Sequence, residues 1–295
     1  MTRAYDEYPV FVRAAGERLA AVICAPSGEL EDLGVVLFTG GNYTRSHRNR
    51  MWVRAARELA ERGVPSIRFD YHGVGDSTGS LVLELESPLE DDANGAADLL
   101  RRSTGVARLA FVATCFGGRT AMAASARRED VVSTTLFPLP ILTPATAPAV
   151  APLRRRIRQQ IKRSELGARL LRTPSVQRAR TQVAHRRGAP ALVVSPRFRR
   201  DTGSTAARAE VRFVMGETTK ELPEARRLIE ELRHHLRPEE HARILLEVVP
   251  GTDIHRFQTF ADQEVVISRT VEAAMRALGR TATEAARVTG AESAW

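Results

Sequence analysis

Short apolar runs alternate with helix-period segments along most of this 295-residue chain, and that alternation is what most limits its fold. Residues 33–39 (LGVVLFT) form a continuous apolar run closed by Gly40-Gly41, as expected of a strand buried on both faces. Residues 48–62 then place Trp52, Ala55, Ala56 and Leu59 at helical spacing, and Gly63 stops the helix. The same reading gives strands over 64–69, 106–113, 131–137, 210–215 and 243–248. It gives helices over 89–102, 117–128, 222–235 and 261–278, and two short strands around the Gly16 turn. Strands separated by helices of this length predict an α/β fold, a mostly parallel central sheet with helices on both faces. The region 138–209 breaks the rhythm. Its proline-rich entry (PLPILTPATAPAVAP) and basic helical continuation predict an inserted cap between core segments 1–137 and 210–279, with 280–295 a frayed tail.

Charge distribution matters more here than its total. The formal net charge is +9, but residues 153–200 hold fifteen Lys and Arg against one acid, Glu165. That segment is therefore +14 and the rest of the chain about −5. It carries no nucleic-acid-binding motif, so a nucleic-acid partner is not expected. The N-terminus lacks a signal-peptide pattern, and no apolar run reaches the length of a membrane span. With two cysteines in unrelated contexts and no Cys/His cluster, the expectation is a reduced, cytoplasmic, soluble protein without metal or cofactor.

The chemistry concentrates at Phe111-Val112-Ala113-Thr114-Cys115-Phe116-Gly117-Gly118, where a strand turns sharply into a helix. A nucleophile on such a turn needs small residues two before and two after it, and Ala113 and Gly117 meet that need. The helix N-terminus that follows is expected to lower the Cys115 pKa. Cys24, in an N-terminal strand, reads as a structural core cysteine.

These segments resemble the α/β-hydrolase superfamily. LFTGGNYTRSHR and RFDYHGVGDSTG resemble the stretches after the third and fourth strands of serine-aminopeptidase-type and exosortase-associated hydrolases. ATCFGG is closer to the cysteine elbows of dienelactone hydrolases, polyhydroxyalkanoate synthases and tetramate-pathway Dieckmann cyclases. The resemblance implies the order nucleophile, acid, histidine. His255 in VVPGTDIHRF is the histidine so placed. The acid position, in the turn Gly216-Glu217-Thr218-Thr219, holds threonine; Glu217 is the favoured substitute, with Glu221 and Asp253 nearby. The backbone N–H groups of Phe116 and Gly41 are the expected oxyanion donors. His47 and His72 fall in loops at the edge of the site and are candidates to touch substrate, whereas Asp70, Asp76 and Ser77 read as a structural turn.

A cysteine nucleophile forms a thioester, which exchanges with carrier thioesters, so the first expectation is acyl transfer or thioesterase-like chemistry. The basic cap, with Arg154, Arg155, Arg156 and Arg158 at its start, suggests an acyl carrier protein or coenzyme A thioester as donor. An ester or dienelactone-type hydrolase is the alternative. A cyclase or lyase on the same fold, and a degenerate binding module, also remain open.

Overall fold

The computed structural model describes residues 4–41, 43–144, 192–251, 254 and 257–280. Strands β1 (Tyr5–Ala14) and β2 (Glu17–Pro26) pair as an antiparallel hairpin across Ala15-Gly16. They are followed by β3 (Leu33–Phe38), α1 (Met51–Ala60), β4 (Ser66–Phe69), α2 (Glu90–Thr104) and β5 (Arg108–Ala113). Next come α3 (Phe116–Ser125), β6 (Val131–Leu136), β7 (Leu142–Pro144), β8 (Leu192–Val194) and α4 (Pro196–Ala206). The chain continues through β9 (Glu210–Gly216), α5 (Leu222–Arg233), α6 (Pro238–His241), β10 (Ile244–Val249) and α7 (Phe260–Ala277).

Eight strands form one sheet in the order β1-β2-β4-β3-β5-β6-β9-β10. Pairing is antiparallel from β1 to β4 and parallel from β4 to β10. All six residues of β3 are buried, which is why its run is apolar without alternation. Helices α1 and α7 pack together on one face, while α2, α3 and α4 pack on the other. Trp52, Val112, Val214, Ile254, Phe257 and Val266 belong to the core beneath the first pair. Chain direction across the sheet reverses at β3, which sends its successor to one side and is flanked by β5 on the other. In open parallel sheets that reversal opens a crevice at the carboxyl ends of the strands, and sites form there.

Contacts divide the chain into two compact units, Met1–Ile141 with Ser195–Trp295, and Leu142–Val194. Helix α4, within the expected insertion, belongs to the first unit. The described part of the second is the antiparallel ladder of β7 with β8. No helix among the described residues is long and apolar enough to cross a membrane.

Candidate active site

The turn between β5 and α3 has the geometry its sequence demands. Cys115 adopts φ 50° and ψ −129°, left-handed for a residue with a Cβ, and stands immediately before α3. Its N–H donates to the Pro138 carbonyl at 2.9 Å, and its carbonyl accepts the Gly118 N–H at 3.0 Å. A Cβ on Gly117 would lie 2.4 Å from the Thr39 carbonyl oxygen, so only glycine lets α3 begin this close to the end of β3. Strain of this kind, held by surrounding hydrogen bonds, is characteristic of functional turns.

Gly40 covers the nucleophile from the β3 side. A Cβ there would sit 3.2 Å from Cys115 Cβ and 3.6 Å from Sγ. Gly41 lies one residue further along, and its Cα faces Leu83: a Cβ on it would meet Cδ1 at 2.2 Å. The β4–α2 connection thus folds onto the glycine loop, and Leu83 remains partly exposed there.

Cys115 is half-buried, and burial pushes its thiol above the ordinary range. A hydrogen bond from the Phe116 backbone N–H pulls the other way, and the charge of Glu221 pushes further up. Desolvation of the thiolate outweighs that hydrogen bond from the start of α3, so the net shift is upward and not the lowering expected from the sequence. Cys24 is fully buried on β2, and desolvation raises it to about 12.

Beyond β9, Glu217 is exposed, and its Oε2 accepts the Gly251 N–H at 2.9 Å, tying the β9 turn to the start of the loop after β10. Thr219, in the expected acid position, is buried and accepts the Gly216 N–H at 3.0 Å. Glu221 is half-buried, and its charge reaches Cys115. His255, Asp253, Arg154, Arg155, Arg156 and Arg158 lie outside the described residues. Ile254 and Phe257, on either side of His255 in sequence, are buried in the core.

His72 and His47 differ sharply. The His72 ring Nδ1 lies 2.9 Å from Asp92 Oδ2, and the His72 backbone N–H donates to the same oxygen at 2.9 Å. Its side chain stays partly exposed. The sequence put His47 in an edge loop, but its imidazole turns inward and is only 6% exposed. Burial lowers its pKa to about 3, helped by the neighbouring Arg48 charge, so the ring is neutral. Asp70 accepts from the Arg45 backbone and guanidinium, and its carbonyl accepts the Ser77 hydroxyl, the structural turn read from sequence.

One contributor escaped the sequence reading. Arg119, on α3 one turn beyond Cys115, is 2% exposed. It donates to the carbonyls of Leu85, Pro140 and Ile141, to Glu86 and to Ser195 Oγ. The available signal was a lone cation in an Ala- and Gly-rich helix.

No protein-family model matches the chain, and no curated protein matches it. Solved structures do. The α/β hydrolase GrgF from a Penicillium species superposes with a TM-score of 0.63 at 15% identity, over 93% of this chain and 99% of its own. The Pyrococcus furiosus esterase Pf2001 gives 0.60 at 14% identity, over 92% and 91%. A dienelactone hydrolase from Anabaena variabilis gives 0.59 at 15%, over 92% and 98%. The fold is the α/β-hydrolase fold.

Proposed function

We propose that this chain is a cysteine-dependent ester hydrolase with Cys115 as nucleophile. The strained left-handed turn that sets Cys115 between β5 and α3, beside Gly40, carries this reading. Esterases and a dienelactone hydrolase among the structures of the same fold support the ester as substrate class. A thiol that burial keeps protonated needs a base as it attacks. In the proposed reaction His255 removes the Sγ proton while Sγ bonds to the ester carbonyl carbon. The electron pair displaced onto oxygen is met by the Phe116 N–H and an amide of the Gly40-Gly41 loop. Collapse breaks the bond to the alcohol, which leaves with the proton from His255. Water, deprotonated by His255, then cleaves the thioester and returns Cys115. Glu221 is our candidate to orient the imidazole, because its charge reaches Cys115 while Glu217 is engaged with Gly251.

A second reading, acyl transfer from a carrier thioester, rests on the +14 charge of residues 153–200. The test of the main reading uses p-nitrophenyl acetate. Cys115→Ala should lower turnover by about three orders of magnitude or more. Glu221→Gln should cost more than Glu217→Gln. In the His255→Ala variant, iodoacetamide alkylation of Cys115 should keep rising above pH 9, as a burial-raised thiol requires. Wild-type turnover in Cys115→Ala, or faster alkylation of Cys24 than of Cys115, overturns the assignment.

A further inference from the structure

Residues 47–50 contain three non-glycine residues with left-handed φ: His47 at 59°, Asn49 at 48° and Arg50 at 59°. His47 combines its φ with ψ −178°, a region populated almost only by glycine. Such a conformation persists when the surroundings impose it, and what surrounds His47 is specific. Its Nδ1 accepts the Arg48 backbone N–H at 2.8 Å. A neutral ring whose Nδ1 accepts must carry its proton on Nε2. Nε2 therefore donates to Thr114 Oγ1 at 3.3 Å, and that hydroxyl donates to the Phe38 carbonyl at the end of β3. Thr114 is the residue before Cys115.

The faces and edges of the same ring reach two further segments. Tyr43 stacks on it with centroids 4.6 Å apart and planes 20° off parallel. Tyr43 also flanks Gly40: a Cβ on that glycine would be 3.4 Å from Tyr43 Cδ2. Phe257, from the loop after β10, meets the imidazole edge-on at 5.2 Å, and Trp52 of α1 does so at 5.6 Å. Phe257 is itself left-handed at φ 47°, and its carbonyl accepts from Gln263 Nε2 at 2.9 Å.

We infer that His47 is a positioning residue that holds the β3 loop, the nucleophile turn and the β10–α7 loop in one register. The inference rests on Cys115 being the nucleophile. It is not a second base: both ring nitrogens are engaged and aromatic rings surround it. Only an imidazole offers an acceptor, a donor and a flat stacking surface at these three places. Asparagine reproduces the acceptor near Nδ1, and glutamine reproduces the donor near Nε2.

The experiment compares His47→Asn, His47→Gln, Thr114→Val and the double variant His47→Asn/Thr114→Val on p-nitrophenyl acetate, with Cys115→Ala as reference. Each is read for kcat, KM, thermal midpoint and the iodoacetamide alkylation rate of Cys115. Loss of the Nε2 donor should lower kcat by about 10- to 100-fold with KM within about threefold, since a displaced reacting group costs rate rather than binding. Thr114→Val should fall similarly, and the double variant should be little worse than either single change, because both remove one contact. His47→Gln should recover most of the rate, and Cys115 alkylation should slow in the variants that lose it. If His47→Asn does not fold, Thr114→Val carries the same comparison. Unchanged kcat and alkylation with only a lower thermal midpoint would show an ordinary core histidine and overturn the inference. Activity surviving in Cys115→Ala would overturn it together with the nucleophile it serves.

Discussion

At Cys115 the backbone and the solvent act in opposite directions on the same thiol. The turn lifts Sγ to the start of α3, where the Phe116 N–H favours the thiolate, while burial favours the neutral form and prevails. The reactive species must then be made during attack, which places weight on how closely the neighbouring atoms fit. Gly40 shows how little room there is. In Gly40→Ala the new methyl meets Cys115 Cβ at 3.2 Å and Tyr43 Cδ2 at 3.4 Å, tight contacts that a few tenths of an ångström relieve. The expected result is a thermal midpoint within a few degrees of wild type but kcat lower by about tenfold or more, because that shift moves the nucleophile. A variant with full activity would mean the β3 loop yields instead. Gly117→Ala leaves no such freedom, since its Cβ would face a backbone oxygen at 2.4 Å.

Helix α3 does two jobs through two residues one turn apart. Its N-terminal end presents Cys115, and Arg119 ties the same helix to residues 85–86, to 140–141 and to Ser195 at the start of α4. The guanidinium also lies 5.1 Å from the Phe198 ring centroid of α4. Five planar donors in a fixed fork suit these divergent acceptors, whereas a lysine ammonium presents three. Arg119→Met leaves buried carbonyls without a donor, so urea unfolding should show a loss of about 2–4 kcal/mol. Arg119→Lys should restore less than half of that loss. A change below about 1 kcal/mol in Arg119→Met would mean that solvent replaces the arginine. Element boundaries follow the same local logic. The sequence expects one helix over 48–62, yet residues 48–50 form a separate turn and α1 starts at Met51, because Asn49 (φ 48°) and Arg50 (φ 59°) take left-handed conformations that interrupt a right-handed helix.

Across the whole molecule, the parallel strands deliver their following loops to one edge of the sheet. The loops after β3, β5, β9 and β10 begin there, with β3 and β5 adjacent at the reversal of strand order. Charge is distributed far less evenly than the fold, and the +14 of residues 153–200 distinguishes the two functional readings. The Debye length falls from about 10 Å at 0.1 M salt to about 3 Å at 1 M, so an interaction between exposed charges weakens steeply over that range. If an acyl-coenzyme A is the true donor, its kcat/KM should drop with added salt while that of p-nitrophenyl acetate stays level. Changing Arg154, Arg155, Arg156 and Arg158 to Glu should then raise KM for the coenzyme A thioester alone. Equal salt responses for both substrates would leave ester hydrolysis without a charged donor.

The sequence by itself determined the alternation of elements, the α/β class of fold with its mostly parallel sheet, and the turn at Cys115. These depend on short-range patterns: runs apolar on both faces for buried strands, helical spacing for α1, and small residues two before and two after Cys115. Tertiary structure alone decided which of several similar side chains serves which purpose. His47 and His72 both stand in polar loops after strands, but only packing shows one imidazole buried under Tyr43, Trp52 and Phe257 and the other partly exposed and tied to Asp92. Glu217 and Glu221 differ by four positions in one turn, and only the folded chain commits the first to Gly251 and brings the second's charge to the thiol. The Cys115 pKa was decided there as well. A helix N-terminus is visible from local sequence, but the desolvation that outweighs the Phe116 N–H hydrogen bond is a property of the assembled fold.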